Sequence, residues 1–338
     1  MKRSRILILS LVALVAGALL GPASNAMAAG SLVGAGSTLL APLEAYWAAD
    51  YHTKTGTSVT YGAVGSGAGI AQISARTTDF GASDAPMTPA QAAGCNNCVQ
   101  IPWALTATGI AFHLDGVRSI KLSGPVIALI YRGQIKKWND ARIRKLNRGV
   151  RLPGTAITPV FRSDGSGDTY AFTDFLSGVS SQWRKNFGRA TAVSFPVGVG
   201  GRGNDGVTAL VASTNGAIGY ISASYIIAHA LKVAALENAA GKFVYPNLSN
   251  ISAAASVVKS VPANNEMHIV NPPKKLKTAY PLSTFTYVIV PHNGANKSAV
   301  ASFIRYAIKG GQVFGAALDF APIPKVVYNA DIRTLAGL

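Results

Sequence analysis

Ser31-Leu32-Val33-Gly34-Ala35-Gly36-Ser37-Thr38-Leu39 starts as a short apolar strand and breaks at glycine. A helical spacing of apolar residues follows at once, through Leu39, Leu43, Tyr46, Trp47 and Tyr51. The same order recurs downstream. Ser58–Tyr61 is β-branched and strand-like, and Gly65-Ser66-Gly67-Ala68-Gly69 leads into a second helix through Ile70 and Ile73. Asp79–Ala82 reads as another short strand, ending at Ser83-Asp84. Strand, small-residue loop and helix in alternation predict α/β architecture: parallel strands with helices on both sheet faces. Ligands of such sheets lie beyond the carboxyl ends of the strands, beside helix N-termini.

Three loops share one physical character. Gly34-Ala35-Gly36-Ser37-Thr38-Leu39, Gly65-Ser66-Gly67-Ala68-Gly69 and Phe161-Arg162-Ser163-Asp164-Gly165-Ser166-Gly167-Asp168-Thr169 each place small residues where a helix should begin. Free backbone N–H groups and the positive end of the helix dipole make such a place an anion cradle. Glycine lets the backbone come close, and hydroxyls cap the helix or donate to a ligand. One such loop is ordinarily a tight turn. Three in one chain, with Arg162 inside the third, point to an anion.

The chain has 338 residues, 49% hydrophobic and 13% charged, which suits about two domains with ample core and excludes a disordered polymer. Two apolar runs, Ala104–Leu114 and Ser283–Val290, suit strands that leave a first domain and return to it, the second followed by a helix over Ser298–Lys309. The expected division is 29–106 and 283–338 for one lobe and 107–282 for the other, with a cleft between them. At the start, Lys2, Arg3 and Arg5 precede an apolar run from Ile6 to Leu20 and the small-residue site Ala26-Met27-Ala28. That is the pattern of a cleaved export signal over residues 1–28, and a periplasmic mature protein. In that compartment Cys95-Asn96-Asn97-Cys98 is expected to close a local disulfide rather than act as a redox pair. The five histidines are scattered, without metal-ligand spacing, so no metal or cofactor is expected.

The formal net charge is +17, or +14 without Lys2, Arg3 and Arg5. Arg132, Lys136, Lys137, Arg142, Arg144, Lys145, Arg148 and Arg151 stand against Asp140 alone. Such an excess attracts anions or acidic surfaces, but no interleaved aromatics or known module mark a nucleic-acid binder.

Gly34–Thr38, Asp79-Phe80-Gly81-Ala82-Ser83-Asp84-Ala85-Pro86, Gly133-Gln134-Ile135-Lys136-Lys137-Trp138 and Arg162–Gly167, with Gly200–Gly206 and Gly216–Tyr220, occur in one order. In that order they resemble the periplasmic phosphate-binding proteins that feed phosphate-specific ABC importers. The resemblance implies a type II periplasmic binding protein fold, two parallel-sheet lobes joined by two crossing strands. It implies inorganic phosphate as ligand, permease subunits as partners, a monomer, and no catalysis. Carried onto this chain, Thr38 donates hydroxyl and amide, Leu39 its amide, Ser66 its hydroxyl, Ser166 hydroxyl and amide, and Gly167 its amide. Asp84 accepts a hydrogen bond from a protonated phosphate oxygen, while Arg162 donates to the anion and holds Asp84. Asp168 departs from the threonine common at its position; an ionised carboxylate cannot donate, so it would accept a second ligand proton, or else cap its helix. The alternatives are a binder of another protonated oxyanion, a secreted surface or adhesion protein, and a hydrolase built on Ser166. The last lacks a nearby histidine base.

Overall fold

The structure, a computed structural model, describes residues 30–338; the export signal expected over residues 1–28 lies outside the described residues. Twelve strands follow in chain order: β1 Ser31–Gly36, β2 Ser58–Ala63, β3 Phe80–Ser83, β4 Cys98–Phe112, β5 Lys121–Leu122, β6 Thr158–Arg162, β7 Val199–Gly201, β8 Ala217–Ser222, β9 Lys232–Val233, β10 Ala235–Glu237, β11 Phe243–Val244 and β12 Ser283–Pro291. The main sheet runs β2-β1-β3-β12-β4-β8-β6-β7, with β9 paired to β4, and β11-β10-β5 form a small second sheet.

β1, β2 and β3 are mutually parallel, as the alternation predicts, and so are β6, β7 and β8. Between the two groups stand the long strands. β4 pairs antiparallel with β12 from Cys98 to Ala107, then with β8 from Thr108 to Phe112. The sheet is therefore continuous and mixed, not two wholly parallel sheets. One strand leaves the first group and the other returns to it, so the two run in opposite directions when they lie side by side.

Packing fixes the strand ends where a site belongs. On the first side Trp103 sits 5.2 Å from Trp47 and 5.8 Å from Phe80, ring to ring. A side chain at Gly34 would enter the Phe80 ring, so that pair sets the spacing of β1 and β3. On the other side Phe172 stacks on Tyr220 at 4.4 Å, with Tyr131 at 4.7 Å from Phe172. Cys95 is joined by a disulfide to Cys98, the first residue of β4. The Arg76 guanidinium donates to the Cys95 and Asn96 carbonyls at 2.9 and 2.8 Å, tying that loop to the end of the Ser66–Ser74 helix. Among the described residues no helix is long and apolar enough to cross a membrane.

Candidate functional site

Four strand ends and four helix starts meet at one place. Ser37 and Thr38 follow β1, Asp84 follows β3, Arg162 ends β6, and Asn204 opens the helix after β7. Gly65 takes a left-handed φ of 94° so that Ser66 can begin its helix facing the second group of strands.

Asp84 is buried. Its Oδ2 accepts from Ser37 Oγ at 2.7 Å and, at longer range, from Ser66 Oγ at 3.4 Å. Among the described residues its Oδ1 has no hydrogen-bond partner. Burial, and then the negative charge of Asp168, push its carboxyl up to about 7. Ser66 Oγ in turn accepts from the Asp84 amide at 3.2 Å and from the Gly167 amide at 3.1 Å.

Opposite it, Arg162 is the one cation in the cluster. Its Nε and Nη2 donate to Asp164 at 2.8 and 2.5 Å, a two-pronged contact that fixes the guanidinium plane. Its Nη1 donates to Asp168 Oδ2 at 3.1 Å. Asp168 also accepts from Thr108 Oγ1 at 2.6 Å and Asn204 Nδ2 at 2.8 Å. Asp164 accepts the Gly203 amide at 2.9 Å, and Asn204 Oδ1 accepts the Ser222 amide at 2.8 Å. Tyr220 anchors the base of this network, its hydroxyl accepting the Arg162 amide at 2.9 Å.

The two sides touch. Asn204 Nδ2 donates to Thr38 Oγ1 at 2.9 Å, and the Gly67 amide donates to the Gly165 carbonyl at 2.9 Å. A Cβ on Gly167 would stand 2.4 Å from the Asp84 Cβ, so only glycine permits this approach.

The expected residues therefore gather, with changes of detail. Arg162 is bonded to Asp164 and Asp168 and not to Asp84, which it reaches only through its field. Asp168 does not cap its helix: Ser166 does, its Oγ accepting the Thr169 amide at 3.3 Å, and Asp168 points into the network. The Ser166 amide is taken by the Thr191 carbonyl at 2.8 Å, leaving its hydroxyl proton as what it has to give. Leu39 is fully buried among Leu40, Leu43 and Trp47. Ser37, Thr108, Asp164 and Asn204 are structural partners that residue-by-residue reading passed over. Asn204 carries a visible signal in the sequence, since Gly200-Gly201-Arg202-Gly203 before it repeats the small-residue helix start.

With one guanidinium and three carboxylates, the cluster has a formal charge of minus two when all are ionised. Bulk charge cannot hold an anion here. Neutral donors and shared protons can. Among the described residues no group of three His, Cys, Asp or Glu side chains could hold a metal ion.

The model of the PBP superfamily domain matches residues 21–310. The chain is 39% identical over 303 residues to the phosphate-binding protein PstS of Pasteurella multocida, covering 88% of this chain and 87% of that one. It is 37% identical over 298 residues to the phosphate-binding protein PstS of Xylella fastidiosa (strain Temecula1), covering 86% and 81%. Among solved structures, the high-affinity periplasmic phosphate-binding protein PfluDING, bound with phosphate, superposes with a TM-score of 0.72 at 22% identity, covering 90% of this chain and 93% of that one. A phosphate-binding protein from Stenotrophomonas maltophilia gives 0.70 at 20%, covering 89% and 92%. At those identities the likeness carries the fold, a type II periplasmic binding protein. Sequence and fold together place the chain in the PBP superfamily, among the PstS phosphate-binding proteins.

Proposed function

We propose that this chain binds inorganic phosphate outside the cytoplasmic membrane and delivers it, as a monomer, to the permease of a phosphate ABC importer. The observation that carries this reading is the unpartnered Oδ1 of Asp84, buried among hydroxyls and amides from both sides of the cleft. A buried acceptor left unpaired is costly; a ligand that brings its own proton relieves it.

In this reading the lobes are residues 29–106 with 283–338, and residues 107–282, and phosphate enters where they meet. Thr38, the Leu39 amide, Ser66, Ser166 and the Gly167 amide donate to its oxygens, releasing the contacts they make with one another across the cleft. Arg162, held flat by Asp164, donates the one charged bond. Asp84 accepts the phosphate hydroxyl. Asp168, already accepting three hydrogen bonds, acts as a positioning residue for Arg162 and Asn204, a smaller role than reading a second ligand proton.

Selectivity follows from the same arrangement. Phosphate near neutral pH keeps a proton and sulfate does not. Sulfate would set a bare oxygen against Asp84, losing a bond to a charged group worth about 1.5–3 kcal/mol and adding repulsion. A site that requires one hydrogen bond rejects an analogue lacking it by roughly 10⁴-fold. Arsenate, which carries protons, fits the same chemistry. Among the described residues no histidine joins the hydrogen bonds of this cluster to activate Ser166, which supports binding without turnover. Calorimetry on the mature chain is expected to give a phosphate Kd in the low micromolar range or below, undisturbed by about a thousandfold excess of sulfate. Equal affinity for the two anions would reject the reading.

A further inference from the structure

The positive charge of this protein is concentrated in one stretch of the sequence. Residues 107–282 hold 21 Lys and Arg against 8 Asp and Glu, while the rest of the described chain holds 7 against 6. Several of those eight acids are already engaged: Asp164 and Asp168 by Arg162, Asp174 by Arg189 and His268, and Asp140 by Arg142. What remains is a cationic surface with little local compensation.

Part of that surface is concave and built. Between the start of β5 and the turn after the Ala141–Leu146 helix lies a groove of about 310 Å3 lined by three cations, Lys121, Lys145 and Arg148, with Tyr245 and the apolar Ile120, Leu146 and Val150 beside them and no acidic side chain. Its two walls are clamped. Buried Asn147 accepts the Lys121 amide at 2.7 Å and donates to the Lys121 carbonyl at 2.8 Å. β5 is also paired with β10 of the small sheet, and the Lys121 ammonium lies 5.4 Å from the Phe243 ring centre. The cations thus stand on a fixed frame. None of the cleft residues lines this groove.

We propose that this groove binds a linear inorganic polyphosphate chain, independently of the cleft. Three cations lining one groove without an acid match a polymer with a negative charge on every unit. Single-stranded nucleic acid would need a series of aromatic platforms, and Tyr245 is the only aromatic in the lining. A bilayer would need apolar anchors beside the cations; of the exposed large apolar side chains, Tyr245 alone lies at the groove.

The test is fluorescence anisotropy with end-labelled polyphosphate and the full mature chain, in low salt, with the cleft saturated by orthophosphate. Binding is expected to persist under orthophosphate and to weaken steeply with salt. Lys145→Glu with Arg148→Glu should weaken it about tenfold or more, whereas Lys309→Glu with Lys325→Glu, the same charge change outside residues 107–282, should shift it less than about twofold. Orthophosphate affinity by calorimetry should be equal in both variants and the wild type, which separates this site from the cleft and reports folding. Absence of binding, displacement by orthophosphate, or equal losses in the two variants would overturn the proposal. So would single-stranded DNA or anionic vesicles binding as tightly at equal charge concentration.

Discussion

Asp84, after β3, and Asp168, in the helix after β6, are both buried in one cluster, and their surroundings are opposite. Asp168 accepts from Thr108, Asn204 and Arg162. Asp84 has one good partner in Ser37, a long one in Ser66, and an oxygen with none. Burial raises both carboxyls above their ordinary range. One carboxylate is saturated by its own protein and the other is not, and in the proposed function the first belongs to the frame and the second to the ligand.

The largest effect expected from breaking this contrast is at Arg162. Arg162→Met keeps an unbranched stem but leaves Asp164 and Asp168 buried without their cation, which should cost about 3–5 kcal/mol in urea denaturation and abolish measurable phosphate binding. A loss under about 1 kcal/mol would mean that the frame stands without the ion pairs. Next is Asp168→Asn, which turns an amide toward donors that need an acceptor. About 1–3 kcal/mol of stability should be lost, while the preference for phosphate over sulfate is retained. If that preference collapses instead, Asp168 reads the ligand proton and the roles given to the two acids are exchanged.

The smallest effect is on pH dependence. Asp84 goes from an ordinary 3.8 to about 7 in the folded chain, so the folded state keeps a proton that the unfolded state releases between those values. Its share of stability is full below 3.8 and is lost as pH rises to about 7. Glu44 and Asp331, both raised to about 8 by burial, act with the same sign and extend the decline. Melting in the absence of phosphate should therefore move down by a few degrees from pH 5 to pH 8. Asp84→Asn should make the part below pH 7 shallower, leaving the shares of Glu44 and Asp331. A melting temperature that rises over that interval would contradict the burial of these acids.

The alternation of strands and helices was legible because its signal is local: apolar spacing within ten residues and small residues at each break. The return strand was legible for the same reason, since Thr284–Val290 is β-branched or aromatic at every position. The partners were not. Asn204 meets Thr38 across 166 positions, and Thr108 meets Asp168 across 60. No local pattern says which hydroxyl will face which carboxylate once the two sides meet. The role given to Arg162 was half legible for this reason: a guanidinium in a Gly-Ser-Gly loop must be paired, but Asp164 lies two residues away and takes it before Asp84 can. The basic groove is similar. Its charge is written in the chain, while its concavity comes from Asn147 folding back onto Lys121.

The central claim is that one carboxylate tells phosphate from sulfate, and titration of both anions into the wild type and Asp84→Asn at neutral pH tests it most directly. The account predicts a preference for phosphate of roughly 10⁴-fold in the wild type. In Asp84→Asn, where the amide can donate to a bare oxygen, that preference should fall to within about tenfold in a chain that is still fully folded. A folded Asp84→Asn protein that rejects sulfate as strongly as the wild type would contradict it.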